Sequence, residues 1–283
     1  MKLHSLIDFF ESIAPLSWQE PWDKSGLQIG DPEQDLKRVL FALDLDGLAL
    51  QRAIEAKVDA VVTHHPLFFK PLEGVRSFVP EEQLVRSLLF HNISVYSMHT
   101  NLDAAPWGVN DQLARRLGLA GRLAAEPLIP VNIPADSLPI GNPFKKFEDY
   151  VGRPPGLGLV ARVDLSRFDL LRICREGLAP AAQVNFGDNA PLKLVVLAGG
   201  SWDGAWLEAA VHREVDAIIT GEMKYHDQIA CRERGIAVFC LGHDVSERVI
   251  LPFLQESLRS FAQKNGGESL ELFVHEGIAH IEL

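Results

Sequence analysis

Two kinds of apolar pattern alternate along the chain. Over residues 3–14 apolar side chains recur at helical spacing and Pro15 ends the pattern, so a helix is predicted there. Residues 38–45 and 59–63 are instead short apolar runs that contain β-branched residues, which favours buried strands. A helical pattern over 49–56 lies between them. The order strand, helix, strand is therefore predicted for this part of the chain.

The same alternation continues along the rest of the chain. It predicts helices at 81–91, 110–117, 166–176, 204–213 and 225–234, and strands at 93–98, 159–163, 192–197, 216–220 and 236–241. We expect Asn110 to cap its helix, and Ser166 followed by Asp169 resembles a capping box. The C-terminal part is predicted to be helical up to a closing strand. Such alternation indicates an α/β protein with largely parallel sheets covered by helices.

Length and proline content indicate two domains. With 283 residues, of which 47% are hydrophobic, the chain is long enough for two cores of ordinary size. Seven of its 17 prolines lie between residues 121 and 160, where no helical spacing persists. We therefore predict a first α/β half at 1–125, a proline-rich connection at 126–157 and a second α/β half at 158–283. The C-terminal segment is a candidate to pack back on the first half.

The second half repeats strands of the first. VDAVVT at 58–63 corresponds to VDAIIT at 215–220, and NISVY at 92–96 corresponds to GIAVF at 235–239. This correspondence predicts two similar strand-helix-strand units. A chance echo is the alternative, because Val-Asp-Ala before an apolar strand is common in α/β proteins.

Residues able to bind metals follow these strands directly. His64 and His65 follow the first strand of the repeat, Asp103 follows the strand at 93–98, and His243 and Glu247 follow the strand at 236–241. Ligands of open α/β sheets bind beyond the carboxyl ends of the strands. Imidazole and carboxylate donors without thiolate suit zinc, iron, manganese or magnesium. Adjacent histidines face opposite ways on a strand, which favours two ions side by side, and such a pair activates water.

Each of these motifs also has an ordinary interpretation. A His-His pair is common as a capping or surface feature. A His and a Glu four residues apart commonly form a solvated pair on one helix face. The joint occurrence of the motifs at corresponding strand ends of both halves is what predicts a metal site.

Three further residues are candidates for catalysis. His99, four residues before Asp103, is predicted to be a general base or to orient a ligand, and a purely structural role is the alternative. Glu222 and His226 follow the repeated strand at a spacing of four, so they are predicted to act as an acid or to contact substrate. The LAGGSWDG stretch at 197–204 joins a strand to a helix. It suits either a phosphate cradle or tight packing of a turn.

Charge and cysteine content exclude several classes of partner. The net charge is −11 and no run of Lys or Arg stands out, so we expect no binding to free nucleic acid. No window of about 18 apolar residues occurs and the first residues lack a long apolar stretch, so we expect no membrane association and a cytoplasmic location. Three widely separated cysteines without CxxC spacing are predicted to be buried, reduced thiols.

Five short blocks carry a resemblance to a known family. They are WDKSGLQIG, THHPLFF, HTNLDA followed by GVND, ITGEMKYH, and GHDVSE. In this order, and over nearly the whole chain, they resemble the dinuclear-metal family described as GTP cyclohydrolase I type 2, also called the Ngg-interacting-factor-three-like family. The sequence departs from the family pattern at Lys24, where an amide is common, and in the proline-rich stretch 121–157.

The resemblance implies more than the residues alone. It implies two similar, interlinked α/β domains with a dinuclear metal site between them, and assembly of six chains into a ring. It implies that His64 and His65 ligate different ions, that Asp103 and His243 complete their shells, and that Glu247 bridges both. The implied reaction is opening of the GTP imidazole ring with release of formate.

The sequence therefore predicts a hydrolase that uses two divalent metal ions on a small, nucleotide-like substrate. The same residues would equally suit hydrolysis of a phosphoester. A metal-binding scaffold or regulatory protein without catalysis is the alternative from another class. Five ligands, one of them bridging, cannot saturate two ions, and open coordination positions favour catalysis.

Overall fold

The computed structural model describes residues 1–131, 153–185, 188–265 and 270–277, and the chain forms two compact units. Unit 1 contains Met1–Leu102 and Leu251–Leu283, and unit 2 contains Asp103–Ile250. The chain passes from unit 1 to unit 2 within a short helix, α4, at Thr100–Ala104. No helix in the described parts of the chain combines the length and the apolar character that crossing a membrane requires.

Unit 1 is built on a five-stranded sheet. The strands are β1 (Gly26–Ile29), β2 (Arg38–Ala42), β3 (Ala60–Thr63), β4 (Ser94–Ser97) and β11 (Glu271–Val274), in the order β1-β4-β3-β2-β11. The four strands from β4 to β11 are parallel, and β1 runs antiparallel at the edge. The strands β2, β3 and β4 are buried almost throughout, as expected for a parallel sheet covered on both faces.

The described part of unit 1 also contains four helices. They are α1 (Leu3–Ile13), α2 (Gly47–Glu55), α3 (Pro80–His91) and α10 (Leu251–Lys264). Phe10 on α1 is fully buried and its ring lies 6.2 Å from that of Phe41 and 6.3 Å from that of Tyr96, measured between centroids. Such aromatic contacts fix α1 against the sheet.

Unit 2 is built on a six-stranded mixed sheet. The strands are β5 (Leu123–Pro130), β6 (Gly156–Ser166), β7 (Gln183–Val184), β8 (Pro191–Ser201), β9 (Ala217–Glu222) and β10 (Ala237–Cys240), in the order β5-β6-β8-β9-β10-β7. The central strands β8, β9 and β10 are parallel. The other strands pair antiparallel.

The helices of unit 2 are α5 (Val109–Arg116), α6 (Arg167–Gly177), α7 (Leu207–His212), α8 (Tyr225–Glu233) and α9 (His243–Glu247). Ser166 caps α6 as predicted, because its hydroxyl oxygen accepts a hydrogen bond from the backbone N–H of Asp169. The predicted class, an α/β protein with two similar units and parallel strands at the centre of each sheet, is confirmed.

Some predicted details differ from the structure. Asn110 was predicted to cap α5, but the helix begins one residue earlier after Gly108. The Asn110 side chain instead donates to the Asp103 carbonyl at 3.0 Å and accepts from the Gly199 N–H at 2.8 Å. A side chain with both a donor and an acceptor can tie two segments together, and this tertiary role competes with capping.

The predicted division of the chain also differs from the two units. The sequence placed residues 103–125 in the first half, whereas α5 belongs to unit 2. The C-terminal segment was a candidate to pack back on the first half, and α10 with β11 belongs to unit 1. The reason is long-range pairing, since β11 adds in parallel to β2. The proposed connection at 126–157 includes most of β5, and residues 132–152 lie outside the described residues.

Candidate metal centre

The two adjacent histidines leave the end of β3 in unit 1. The Thr63 hydroxyl hydrogen-bonds to the His65 carbonyl and to the Ser97 hydroxyl, both at 2.8 Å, and so fixes the turn out of the strand. The His64 and His65 rings lie 5.0 Å apart between centroids. Side chains alternate between the two faces of a strand, so His64 and His65 were expected to point apart. The strand ends at Thr63, however, and the two rings stay close together.

His99 joins these two histidines. His64, His65 and His99 each place one ring nitrogen within 4.8 Å of the others, and we call this group the histidine cluster. The His99 ring centroid lies 5.3 Å from that of His64 and 5.4 Å from that of His65. His64 is fully buried, and the side chains of His65 and His99 are 15% and 12% exposed. The sequence predicted a role for His99 in catalysis, and the structure places it among the predicted ligands of unit 1.

Oxygen acceptors fix the tautomer of every ring in the cluster. Nδ1 of His64 lies 2.8 Å from the Met98 carbonyl oxygen, and Nδ1 of His65 lies 2.8 Å from a carboxylate oxygen of Asp44. Nδ1 of His99 is bound in the same way by Asp23. Carbonyl and carboxylate oxygens only accept, so each Nδ1 carries the hydrogen and each neutral ring has its lone pair on Nε2.

A second group of donors lies in unit 2, on and beside α9. His243 and Glu247 are four residues apart, and Nε2 of His243 lies 3.2 Å from Oε2 of Glu247. On the other side of the ring, Nδ1 donates to Oε1 of Glu222 at 3.1 Å. The Glu247 side chain is 4% exposed, whereas that of Glu222 is 60% exposed. Glu222 was predicted to be an acid or a substrate contact, and its position is that of a residue that orients His243.

Glycines allow β8 and β9 to approach α9 closely. A Cβ atom on Gly200, whose φ is +66°, would lie 2.0 Å from Oε1 of Glu247. A Cβ atom on Gly221 would lie 2.6 Å from the Ser246 hydroxyl oxygen and 2.8 Å from Cα of His243. The Ser246 hydroxyl in turn accepts from the Gly200 N–H at 2.9 Å. For the LAGGSWDG stretch, this geometry supports tight packing of a turn rather than a phosphate cradle. Its second glycine, Gly200, leaves room for the helix that bears His243 and Glu247.

The two remaining predicted site residues differ in their surroundings. Asp103 is partly buried in α4, and its carbonyl is held by Asn110 as described above. His226 is exposed at the start of α8, where its ring centroid lies 5.4 Å from that of Tyr225. The described structure places His226 in neither the histidine cluster nor the group around His243. The prediction of a catalytic His226 therefore gains no support from geometry.

Sequence reasoning missed the acceptors behind the histidines. Asp23 and Asp44 precede their partners by 76 and 21 residues, so no local spacing indicates the pairing. For Asp44 a signal exists, because it follows β2, whose neighbour in the parallel sheet is the strand that carries His65. For Asp23 the only signal is its place in the WDKSGLQIG block.

A large cavity opens beside the histidine cluster within unit 1. Its volume is ≈ 1290 Å³, above the ~300–1,000 Å³ of typical small-molecule pockets. His65 and Asp44 line one part of it, and the remaining wall includes Phe68, Phe69 and Lys70. The cavity can therefore bring a small molecule to the exposed side of a cluster histidine.

The donors of both units fit divalent metal ions. Nitrogen and carboxylate oxygen without thiolate suit zinc, iron, manganese or magnesium. Imidazoles that donate Nδ1–H to an oxygen and keep the lone pair on Nε2 have the arrangement typical of metal-binding histidines. The residues present thus match the type of group that the sequence predicted, while the number and the identity of the ions stay predictions.

Comparison with known proteins decides the family. The sequence profile of the Duf34/NIF3 (NGG1p interacting factor 3) family matches residues 1–278. The chain belongs to this family. The resemblance inferred from the five sequence blocks is thereby confirmed.

Two relatives of this NIF3 family protein carry different names. A "NIF3-like protein 1" from Drosophila melanogaster is 29% identical over 269 residues, which cover 91% of this chain and 83% of the relative. A "GTP cyclohydrolase 1 type 2 homolog" from Clostridium perfringens is 28% identical over 262 residues, covering 92% of each chain.

Solved structures agree with the fold. A Bacillus cereus protein related to NIF3 superposes with a TM-score of 0.82 at 20% identity over 99% of both chains. A Staphylococcus aureus protein superposes with a TM-score of 0.80 at 26% identity, again over 99% of both chains. The first likeness shows the fold alone. Together they support the α/β architecture of this chain.

Proposed function

We propose that this NIF3 family protein is a metal-dependent hydrolase of a small, nucleotide-like molecule. In this proposal His64, His65 and Asp103, together with His243 and Glu247, supply the ligands of two divalent ions. The supporting observation is the histidine cluster, in which the rings of the two proposed ligands, His64 and His65, are fixed with the lone pair on Nε2. The naming of several relatives as GTP cyclohydrolase 1 type 2 homologs makes GTP the first substrate to test.

Divalent ions, when bound, would act as Lewis acids that lower the pKa of water and stabilise negative charge in the transition state. The residues of this chain have separate tasks around them. Met98 and Asp44 orient His64 and His65, and Glu222 orients His243. His99 accepts a proton on Nε2, because its Nδ1 already carries a hydrogen.

The cavity beside His65 supplies the binding site for the substrate. Its aromatic side chains Phe68 and Phe69 suit a flat, heterocyclic group. Asp44 is engaged with His65, so it orients the ring rather than the substrate. This arrangement favours a small molecule over a polymer as substrate.

One experiment tests this function directly. The purified protein is analysed for metals, loaded with zinc, iron, manganese or magnesium, and incubated with a panel of nucleotides while formate and phosphate are assayed separately. We expect hydrolysis that requires metal and is lost in His64→Ala. Formate from GTP alone supports the cyclohydrolase reaction, and phosphate from many nucleotides supports a phosphoesterase.

The matched control is His226→Ala, which removes an exposed histidine outside the two donor groups. It should retain metal and activity. If the wild type binds two ions tightly but hydrolyses no nucleotide, the scaffold alternative replaces the hydrolase. If it binds no divalent ion, the proposed centre is wrong.

A further inference from the structure

Asp23 lies in the WDKSGLQIG segment, to which the proposed function gives no role. Its side chain is fully buried, and its carboxylate accepts five hydrogen bonds. Oδ1 accepts from the Lys24 N–H at 2.6 Å and from Nδ1 of His99 at 2.8 Å. Oδ2 accepts from the Ser25 hydroxyl at 3.0 Å, and from the N–H and the hydroxyl of Thr100 at 3.0 and 2.5 Å. These donors hold the carboxylate in one orientation.

The same contacts keep Asp23 ionised. Burial by itself raises the pKa of this carboxyl, but the hydrogen bonds from His99, from Thr100 and from the Lys24 N–H together bring the pKa well below its usual range. An ionised carboxylate can only accept, so Nδ1 of His99 must donate. The lone pair of the neutral imidazole is then on Nε2.

The ring of His99 is held on its other sides as well. Its backbone N–H donates to the Ser25 hydroxyl at 3.1 Å, so the same short segment fixes both backbone and side chain. The rings of Trp22 and Phe69 pack edge-on against it, with centroids at 5.8 and 5.6 Å. Together with the other two rings of the histidine cluster, these contacts leave the imidazole little freedom to turn.

We propose that Asp23 is a positioning residue, which holds His99 in the tautomer with hydrogen on Nδ1 so that Nε2 can accept a proton in the hydrolysis. The assignment of the tautomer rests on geometry within unit 1. The proton transfer rests on the proposed function. Asp23 does not touch the reacting atoms in this proposal and acts only through His99.

An amide cannot replace this carboxylate without a conflict. Oδ1 faces the backbone N–H of Lys24 and Oδ2 faces that of Thr100, and neither N–H can rotate away. Asparagine at position 23 must therefore direct its NH2 group at one of them in either orientation. When the NH2 group faces His99, Nδ1 has to accept and the ring hydrogen moves to Nε2. In the opposite orientation the amide oxygen still accepts from Nδ1 and the tautomer is kept, so the variant that releases the tautomer must remove the acceptor altogether, as Asp23→Ala does.

The first test is made on the wild-type protein without metal. Histidine is labelled with ¹⁵N, the ring nitrogens are observed by two-dimensional ¹⁵N–¹H NMR at a pH where the ring is neutral, and His99 is assigned by loss of its signals in His99→Gln. We expect a protonated Nδ1 and an unprotonated Nε2. A hydrogen on Nε2 of His99 overturns the proposal, and no Asp23 variant has to fold for this result.

The second test uses two matched variants. Asp23→Ala, which removes the acceptor of Nδ1, should lower the fraction of His99 with hydrogen on Nδ1 and leave His65 unchanged. Asp44→Ala, which removes the corresponding acceptor 2.8 Å from Nδ1 of His65, should do the reverse. Circular dichroism checks that both variants fold. An unchanged His99 tautomer in folded Asp23→Ala contradicts the positioning role.

Kinetics separate this proposal from the proposed function. With the substrate identified above, metal-loaded Asp23→Ala should lose about 10²–10⁴-fold in kcat, with KM and metal content nearly unchanged. A variant with the altered tautomer and unchanged kcat refutes proton acceptance by His99. Absence of hydrolysis in the wild type refutes the proposed function, and the NMR result still decides whether Asp23 sets the tautomer.

Discussion

Gly200→Ala should damage the second donor group through one added methyl group. Its Cβ atom would lie 2.0 Å from Oε1 and 3.0 Å from Cδ of Glu247, well inside van der Waals contact. The Glu247 side chain is 4% exposed, so it has little room to withdraw. The backbone adds a second cost, because φ at Gly200 is +66°, in the region where a side chain is strained.

The two effects give a size for the destabilisation. Overpacking costs about 1–3 kcal/mol. The left-handed conformation costs a non-glycine residue about 1–2 kcal/mol more. The expected loss in free energy of unfolding is therefore about 2–5 kcal/mol. If Glu247 moves instead of the backbone, the loss is smaller, but the carboxylate leaves its position 3.2 Å from Nε2 of His243 and metal affinity falls.

Urea denaturation and metal titration measure both outcomes. The matched control is Gly121→Ala, also in unit 2, where an added Cβ meets nothing within 4 Å. It should leave stability unchanged or raise it by about 0.4–1 kcal/mol through the unfolded state. If Gly200→Ala matches Gly121→Ala in both unfolding and metal binding, the close approach of β8 to α9 does not position Glu247.

Three other predictions follow from the structure and the proposed function. Glu247→Gln should lower the metal content after dialysis from two ions per chain, because an amide offers only one good oxygen to metal. Glu222→Gln can still accept from His243 and should keep both ions. Two retained ions in Glu247→Gln would contradict the bridging role. Cys174 should resist alkylation at pH 8, because burial raises the pKa of its thiol to about 12 and so disfavours the thiolate. Cys240, which is partly exposed, should react first. Mass spectrometry of the native protein identifies the order of alkylation, and equal rates would contradict this prediction. We also propose a homo-oligomer, a hexamer by family resemblance, and light scattering that gives a monomer at micromolar concentration would refute it.

Most elements were predictable because their apolar patterns are strong. The parallel strands β2, β3, β8, β9 and β10 are short apolar runs, and each lies within one to four residues of its predicted bounds. The pairings that the pattern does not encode were harder to predict. β11 adds to β2 across more than 200 residues, and β5 lies in a proline-rich stretch that shows no strand signal.

The candidate site was predictable in part for the same reason. Strand ends can be recognised in the sequence, so the predicted ligands could be named from their positions after strands. The groups behind them could not, because a hydrogen bond such as that from His99 to Asp23 joins segments 76 residues apart. The departure from the family pattern at Lys24 does not affect the hydrogen bond to Asp23. Position 24 contributes only its backbone N–H to that bond, and every residue except proline has this group.

The repeated Val-Asp-Ala sequence has a backbone explanation. Oδ2 of Asp59 accepts from the N–H groups of Lys37 and Arg38 at 2.6 and 2.8 Å, where the neighbouring strand β2 begins. Oδ2 of Asp216 accepts in the same way from two successive N–H groups at 2.7 and 2.9 Å, next to the start of β8. The aspartate therefore sets the register between two parallel strands in each unit.

The turn before each repeated strand is also the same. Lys57 and Glu214, two residues before these aspartates, have φ values of 52° and 53°, an uncommon conformation for residues with side chains. Two copies that share a hydrogen-bonding aspartate and an uncommon turn are harder to attribute to chance than two similar apolar runs. The agreement in detail therefore favours a true structural repeat.

The repeat does not extend to the chemistry of the strand ends. After β3 the chain places two imidazoles, whereas the equivalent end of β9 has Gly221 and Glu222. Gly221 leaves room for the helix that carries His243, and Glu222 orients that histidine. The same backbone arrangement therefore carries candidate ligands at the strand end itself in unit 1. In unit 2 it supports candidate ligands on the helix that follows. Exchanging Gly221 for a larger residue should consequently disturb the donors of unit 2 and leave the histidine cluster of unit 1 intact.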